Sequence, residues 1–288
     1  MPKISVLFPT YNTKEEHLRE AMESVLSQTF SDFEFIIVDD CSPDANVEKV
    51  VKSYDDARIR FYRNERNLGI SQTRNRLIDL ASGEYLAVMD HDDVSLPERF
   101  EKEAAYLDSH PDVGVVACRA EKFPCGGLTK NPENDKEIKL AMMRSCAITH
   151  SACMIRKSVL IDNNIRYEEE YSPSEDYALY IRLMSKTKFH NLPETLFRYR
   201  WHADNTSHRQ SAKMQAATFA IQALVKAENP ALYDEFLLRA THTARVRLFG
   251  FIPVLKIETR GYRTKVYLFE KILLFSFKRV IKLQEGAV

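Results

Sequence analysis

Three carboxylates fall within four consecutive positions, at Asp90, Asp92 and Asp93, directly after the apolar run 85–89. The β-forming character of this run predicts a buried strand that delivers acidic side chains at its carboxyl end. Like charges so close repel each other, and a divalent cation compensates them economically because hard oxygen ligands suit Mg²⁺ or Mn²⁺. The alternative is a solvated acidic turn that caps the following helix.

A second acidic pair, Glu175 and Asp176, opens a strongly helical pattern after the capping signal Ser172-Pro173-Ser174. The helix dipole favours acidic residues in the first turn of a helix, so it can account for this pair without a catalytic role.

The elements that position these acids alternate along the first half of the chain. Short apolar strands are predicted near 4–8, 34–38, 58–62, 85–89 and 113–117, separated by helices near 14–28, 45–54, 71–81 and 97–109. This alternation predicts an α/β fold with a mostly parallel sheet covered on both faces. Ligands of such sheets bind outside the carboxyl ends of the strands, so four segments are expected at one edge: 10–12, 39–40, 67–69 and 90–93. A dinucleotide-binding dehydrogenase is set aside, because the turn after the first strand contains no glycine.

The amino-acid composition limits the classes of binding partner, metal site and cellular compartment. The 288 residues fit one large domain or two small ones, and Lys plus Arg equal Asp plus Glu at 41 each, so no overall charge indicates nucleic acid. Five cysteines without a CxxC pair disfavour a disulfide framework and a zinc site, and favour a reducing cytoplasm. No signal peptide or membrane span is predicted.

Six ordered segments together resemble family 2 glycosyltransferases over about residues 3–205. They are 8–12 (FPTYN), 38–42 (VDDCS), 67–75 (NLG with Arg74-Asn75), 89–99 (MDHDD with LPER), 175–176 (ED) and 199–207 (YRWHADNTS). The resemblance implies a GT-A fold, a nucleotide-diphosphate sugar donor, most often a UDP-sugar, a divalent Mn²⁺ or Mg²⁺, and transfer with inversion.

The resemblance also implies roles for individual residues. Asp176 is the expected base and Glu175 is expected to orient the acceptor, since a sugar hydroxyl must lose its proton as the new bond forms. The metal is expected at Asp92 and Asp93, with His202 as a third ligand or a diphosphate contact. The donor is expected to contact Pro9, Thr10, Tyr11, Asn12, Asp40, Asn67, Gly69, Arg74, Asp90, Asp92 and Arg200. Tyr11 and Asp40 have plainer alternatives, as a core tyrosine and a turn-forming carboxylate.

The acceptor side is expected near the loop 123–134 and at His150 and Ser151, although an isolated histidine is as readily a structural residue. The resulting domain prediction has a catalytic part, 1–205, with donor-binding (1–118) and acceptor-binding (119–205) halves. A basic, aromatic and helical extension, 206–288, follows it.

Ten Lys or Arg and only two Glu lie between 245 and 282. This mixture with aromatic residues predicts an amphipathic surface at 249–288 that contacts an anionic membrane and brings the enzyme to a lipid-linked glycan acceptor. The alternatives are a basic subdomain packed on the catalytic part and a dimer contact. The whole chain predicts a cytoplasmic or peripheral inner-membrane glycosyltransferase of surface polysaccharide (capsule or O-antigen) synthesis. A sugar nucleotidyltransferase and a non-catalytic glycan-binding protein are the rival readings.

Overall fold

The computed structural model describes residues 1–202 and 211–239 and four strands between 241 and 278. The chain divides into two compact units, Met1–Glu228 and Asn229–Val288. The division of function between a catalytic part and an extension stays a prediction.

The first unit alternates strands and helices. In chain order they are β1 (Ile4–Thr10), α1 (Glu15–Leu26), β2 (Phe33–Asp39), α2 (Asn46–Lys52), β3 (Ile59–Arg63), α3 (Ile70–Leu80), β4 (Tyr85–Val88), β5 (Val94–Ser95), α4 (Arg99–Ser109), β6 (Val113–Phe123), α5 (Asp135–Ala141), β7 (Cys153–Arg156), α6 (Lys157–Ile161), α7 (Glu175–Leu183), β8 (Lys188–Arg200) and α8 (Ser211–Glu228). Short 3₁₀ turns lie at His150–Ala152 and Glu169–Tyr171.

Eight strands form one sheet in the order β3-β2-β1-β4-β7-β6-β8-β5. β1 to β4 pair in parallel, whereas β7 runs antiparallel to both of its neighbours and β5 runs antiparallel to β8. β6 and β8 are parallel. The predicted α/β class is confirmed, and the sheet is parallel in its first half and mixed in its second. All seven residues of β1 and of β2 are buried, as expected for strands covered on both faces.

The acidic segment 90–93 is enclosed by two strands of this sheet. It leaves β4, whose neighbours are β1 and β7, and enters β5, where Val94 pairs with Arg198 and Ser95 with Phe197 of β8. β8 then ends at Arg200. The sheet therefore brings the end of β8 next to the segment 90–93, more than 100 residues earlier in the chain.

The second unit begins with α9 (Pro230–Arg239) and continues as a four-stranded antiparallel sheet in the order β12-β11-β10-β9. These strands are β9 (Thr241–Leu248), β10 (Ile252–Arg260), β11 (Arg263–Leu268) and β12 (Ile272–Lys278). The prediction of a helical extension is correct for 211–239 and wrong for 241–278. Polar and apolar residues alternate there with a period of two, as in Lys256-Ile257-Glu258, which is the periodicity of a strand. None of the helices in the described part of the chain combines the length and the apolar character needed to cross a bilayer.

Candidate active site

Asp40 follows β2 and is enclosed by hydrogen-bond donors. Its Oδ1 accepts from the backbone N–H of Leu68 at 2.8 Å and from the Asn64 side-chain amide at 2.6 Å, and its Oδ2 accepts from the Gly69 N–H at 2.9 Å. Gly69 has a φ of 82°, a left-handed conformation that suits glycine. Asp40 thus fixes the predicted donor loop 67–69, and Oδ2 retains acceptor capacity for one further donor.

The loop after β1 is tied to the loop after β2. Thr10 is buried and shares a 2.7 Å hydrogen bond with the Thr13 hydroxyl, and the Asn12 N–H donates to the Ser42 hydroxyl at 2.8 Å. The side chain of Tyr11 is 44% exposed, which excludes the core role that the sequence left open for it. Pro9 lies within β1, one residue before that strand ends at Thr10. The predicted donor residues of β1 and β2 therefore meet at one edge of the sheet.

Arg74, on α3, joins the two acidic groups of the sequence. Its Nη1 donates to Glu175 Oε1 at 2.6 Å and its Nη2 donates to Asp90 Oδ1 at 3.0 Å. The three side chains are 9%, 6% and 29% exposed, respectively, so both contacts lie largely away from solvent. Arg74 is buried, and its two ion pairs join the segments 90–93 and 175–176 in one cluster of side chains.

Asp176 lies beside this ion-pair network. Burial, together with the negative charge of Glu175, raises its pKa to about 6, against the opposing effect of Arg74. The pKa of Asp93 is raised well above its usual range because the carboxyl is buried and Asp92 and Asp90 are close. Oε2 of Glu175 and Oδ2 of Asp93 are buried and have no hydrogen-bond partner within the described residues. Such unsatisfied acids are typical of functional sites.

The end of β8 closes over the acidic segment. The Arg200 backbone N–H donates to Asp93 Oδ1 at 2.8 Å, and its Nε donates to the backbone oxygen of Asp92 at 2.6 Å. His202 Nε2 lies 2.8 Å from Asp92 Oδ2, and the guanidinium of Arg200 also pairs with Glu20 of α1. The structure therefore brings together Asp92, Asp93, Arg200 and His202, the residues that the family resemblance places at the metal and the diphosphate.

The Asp92 carboxylate is a hard oxygen ligand that suits Mn²⁺ or Mg²⁺, and the His202 imidazole, 2.8 Å from it, adds a nitrogen that Mn²⁺ accepts more readily than Mg²⁺. Across the residues that the structure describes, no three His, Cys, Asp or Glu side chains surround a common metal position. The pair fits a cation that takes its other ligands from phosphate oxygens and water, as Mg²⁺ commonly does.

His150 and Ser151 lie in the 3₁₀ turn before β7 and are buried. His150 Nδ1 is 2.7 Å from the Tyr180 hydroxyl, and Nε2 is 3.1 Å from the Tyr167 hydroxyl. Burial holds the pKa of this imidazole well below its usual range, and both of its nitrogens are occupied. The sequence left two roles open for His150, and these contacts favour a structural role rather than direct contact with the acceptor.

Sequence reasoning missed several residues that build the site. Asn64 and Tyr167 hold Asp40 and His150, respectively, and Glu20 holds Arg200. Their positions in strand-flanking loops and on a helix face carry no signal of their own in a single sequence.

Comparison with known proteins identifies the family. The sequence model of glycosyl transferase family 2 matches residues 5–164. The uncharacterized glycosyltransferase MJ1057 of Methanocaldococcus jannaschii is 35% identical over 207 residues, which cover 69% of this chain and 71% of the relative. The amylovoran biosynthesis glycosyltransferase AmsE of Erwinia amylovora is 29% identical over 212 residues, 72% of this chain and 79% of the relative.

Two solved structures share the fold. TarS (1–349) of Staphylococcus aureus in complex with UDP-GlcNAc has a TM-score of 0.66 at 23% identity, over 82% of this chain and 72% of that one. The mannosyltransferase PcManGT of Pyrobaculum calidifontis, in complex with GDP-Man and Mn²⁺, has a TM-score of 0.56 at 14% identity, over 82% and 74%. The chain belongs to glycosyl transferase family 2, and it is a glycosyltransferase with a GT-A fold.

Proposed function

We propose that this chain is a metal-dependent, inverting glycosyltransferase that moves a sugar from a nucleoside-diphosphate donor to a hydroxyl of a glycan acceptor. The observation that carries the proposal is the position of Arg74 between Asp90 and Glu175. It joins the acids that follow β4, on the donor side, to the acids that open α7, beside the proposed base.

Asp176 is proposed as the base. A pKa of about 6 leaves its carboxyl deprotonated at neutral pH and still basic enough to take the proton of the attacking hydroxyl. Because Glu175 is held by Arg74, it fixes the start of α7 and therefore the position of its neighbour.

The donor is proposed to lie along the edge formed by Thr10–Asn12, Asp40 and Asn67–Gly69, with its diphosphate near Asp92 and His202. Asp92 and His202 would hold the cation, with Asp93 behind them, and the bound cation would supply positive charge that stabilises the leaving diphosphate. Arg200 is proposed to add a guanidinium to the same phosphates. Support for UDP comes from TarS, which was solved with UDP-GlcNAc, although the PcManGT complex contains GDP-Man.

The proposed setting is the synthesis of a surface polysaccharide on a lipid-linked acceptor at the cytoplasmic side of the membrane. The amylovoran biosynthesis relative supports the polysaccharide, and the second unit supports the membrane contact. Its strand register pairs Lys256 with Arg245 and Arg263 with Lys278, so basic residues share positions on one face of the four-stranded sheet. Anionic lipid attracts such residues by about 1 kcal/mol each.

The activity is tested by replacing Asp176 with Asn. We expect release of UDP from UDP-GlcNAc, tested alongside UDP-glucose and GDP-mannose, to fall by about 10²- to 10⁴-fold, because the base is lost. Binding of UDP with Mn²⁺, measured by calorimetry, should remain within about twofold of the wild type. Retained turnover in D176N would remove Asp176 from this role.

The pH profile tests the same assignment. A carboxyl with a raised pKa is protonated, and inactive as a base, below about pH 6, so the rate should rise roughly tenfold per pH unit up to that value and level off above it. A profile that is flat from pH 5 to pH 8 contradicts the proposal.

Metal dependence is tested by the thermal stabilisation that UDP gives with and without Mn²⁺. We expect a larger rise in Tm with both than with UDP alone, and we expect D92N to lose the increment due to Mn²⁺. An equal rise in Tm with EDTA would exclude a cation at Asp92.

Membrane contact is tested by cosedimentation with vesicles that contain phosphatidylglycerol. Binding should weaken as salt rises, and the double variant K256E/R263E should bind less than K226E, which changes a lysine of α8. Equal binding by the two variants would argue against the four-stranded sheet as the contact.

A further inference from the structure

Tyr167 lies beneath the guanidinium that joins the two acidic groups. The Arg74 Cζ atom is 5.6 Å from the centre of the Tyr167 ring, and Tyr167 is only 4% exposed. A guanidinium above a buried aromatic face is attracted to the ring by its quadrupole. Arg74 therefore has an aromatic surface on one side and carboxylates at the end of its fork.

Tyr167 is itself held at both ends. The Asn75 side-chain amide donates to the Tyr167 carbonyl at 2.9 Å and accepts from the Tyr167 N–H at 2.9 Å. At the other end of the residue, the hydroxyl is 3.1 Å from His150 Nε2, and His150 Nδ1 is 2.7 Å from the Tyr180 hydroxyl. The ring therefore has one position relative to α3, the helix that carries both Arg74 and Asn75.

We propose that Tyr167 is a positioning residue, which fixes the Arg74 guanidinium between Asp90 and Glu175 and thereby sets the charge beside Asp176. The proposal rests on the proposed function, in which Asp176 is the base. Asp90 and Glu175 belong to different elements, so the fork of Arg74 reaches both only while its plane is held.

The consequence for Asp176 follows from the groups around it. Burial, Glu175 and Asp90 raise the pKa of its carboxyl, whereas Arg74 and the Tyr177 N–H lower it. Tyr167 and Cys146, on other segments, are also within electrostatic range of this carboxylate. A guanidinium that loses its aromatic support moves away from the acids, so the pKa of Asp176 should rise further.

The experiment is a pH titration of the protein labelled with ¹³C at its aspartate carboxyls, followed by NMR without donor or metal. The signal that disappears in D176N should titrate near pH 6 in the wild type. In Tyr167→Leu we expect its midpoint to rise by about half a pH unit or more. In Tyr167→Phe, which keeps the ring and loses only the bond to His150, we expect the midpoint to stay close to that of the wild type.

Tyr85→Leu is the matched control. Tyr85 is fully buried at the start of β4, at the opposite end of the strand from the acids, and its hydroxyl bonds to Asp108. It should lose stability as Tyr167→Leu does, without moving the Asp176 signal. Should Tyr167→Leu fail to fold, Asn75→Ala removes the amide clamp and should move the midpoint in the same direction.

An unchanged midpoint in Tyr167→Leu, or in Asn75→Ala where Tyr167→Leu does not fold, overturns the positioning role. The titration does not depend on turnover, so its failure is distinct from failure of Asp176 as base, which D176N kinetics report. In kinetic assays, Tyr167→Leu should lower kcat by about 10- to 100-fold with little change in the donor KM, because the misplaced groups act on the reacting hydroxyl.

Discussion

Two acidic clusters at the same edge of the sheet are built in opposite ways. Asp39, the last residue of β2, and Asp40, which follows it, are surrounded by donors: Arg63 and Ser42 bond to Asp39, and two backbone N–H groups and Asn64 bond to Asp40. The cluster formed by 90–93 and 175–176 depends mainly on Arg74 and on the end of β8, and it retains buried oxygens without hydrogen-bond partners in the described chain.

The number of donors around each cluster therefore distinguishes a binding surface from a reactive site. A carboxylate with several donors, such as Asp40, fixes a loop, which suits a binding surface. Burial and the neighbouring carboxylates raise the pKa of Asp93 and of Asp176, and these acids have few donors around them, which suits contact with a cation or a proton. Stability should therefore depend on the first cluster through many bonds and on the second through very few.

The largest expected effect comes from removing the guanidinium of Arg74, which Asp90 and Glu175 share. Arg74→Met leaves Glu175 buried without its partner, which should lower the free energy of unfolding by about 3–5 kcal/mol, measured by urea denaturation. Arg66→Met, at an exposed position of the neighbouring loop, is the control and should change it by less than about 0.5 kcal/mol. Equal values for the two variants would mean that Arg74 is not the support of the acidic cluster.

A smaller effect is expected in the bonded cluster. Asp40→Asn turns an amide toward the N–H groups of Leu68 and Gly69, so it should cost about 1.5–3 kcal/mol of unfolding free energy. It should also weaken UDP binding, because the loop 67–69 loses its anchor. Asp55→Asn, on the surface, controls for the loss of one charge. Unchanged stability and UDP affinity would remove Asp40 as the anchor of this loop.

The smallest effect is expected where the second cluster meets α1. Glu20→Gln removes a half-exposed partner of Arg200, which keeps its bonds to Asp92 and Asp93, so stability should change by less than about 1 kcal/mol. A loss comparable to that of Arg74→Met would show that Glu20, and not the acidic segment, holds the end of β8.

Much of the fold was predictable because strand and helix periods are local properties. The run 85–89 predicts β4 within one residue. Of the four segments expected at one edge, the first three are joined by hydrogen bonds from Asn12 to Ser42 and from Gly69 to Asp40, and the fourth contacts Arg74 of α3. The approach of His202 to Asp92 was predicted only through the family resemblance, since no local pattern links residues so far apart.

Other features were not predictable from local pattern. The abundance of basic and aromatic residues in 241–278 favours a helical extension, whereas the alternation of polar and apolar residues there is the feature that matches the four strands. The family resemblance predicts His150 on the acceptor side. In the structure its ring nitrogens contact the hydroxyls of Tyr167 and of Tyr180 on α7, and contacts of this kind depend on tertiary packing.

The path of the chain through β4, the acidic segment and β5 has a consequence for how the enzyme is assembled. The strands on both sides of the acidic segment 90–93 pair within one sheet, so its carboxylates acquire their positions as the strands pair. The segment 90–93 should therefore keep its position in the absence of donor. Amide hydrogen exchange at Met89 and Ser95, whose N–H groups donate to Leu7 and Ser24, should be slow before any donor is added.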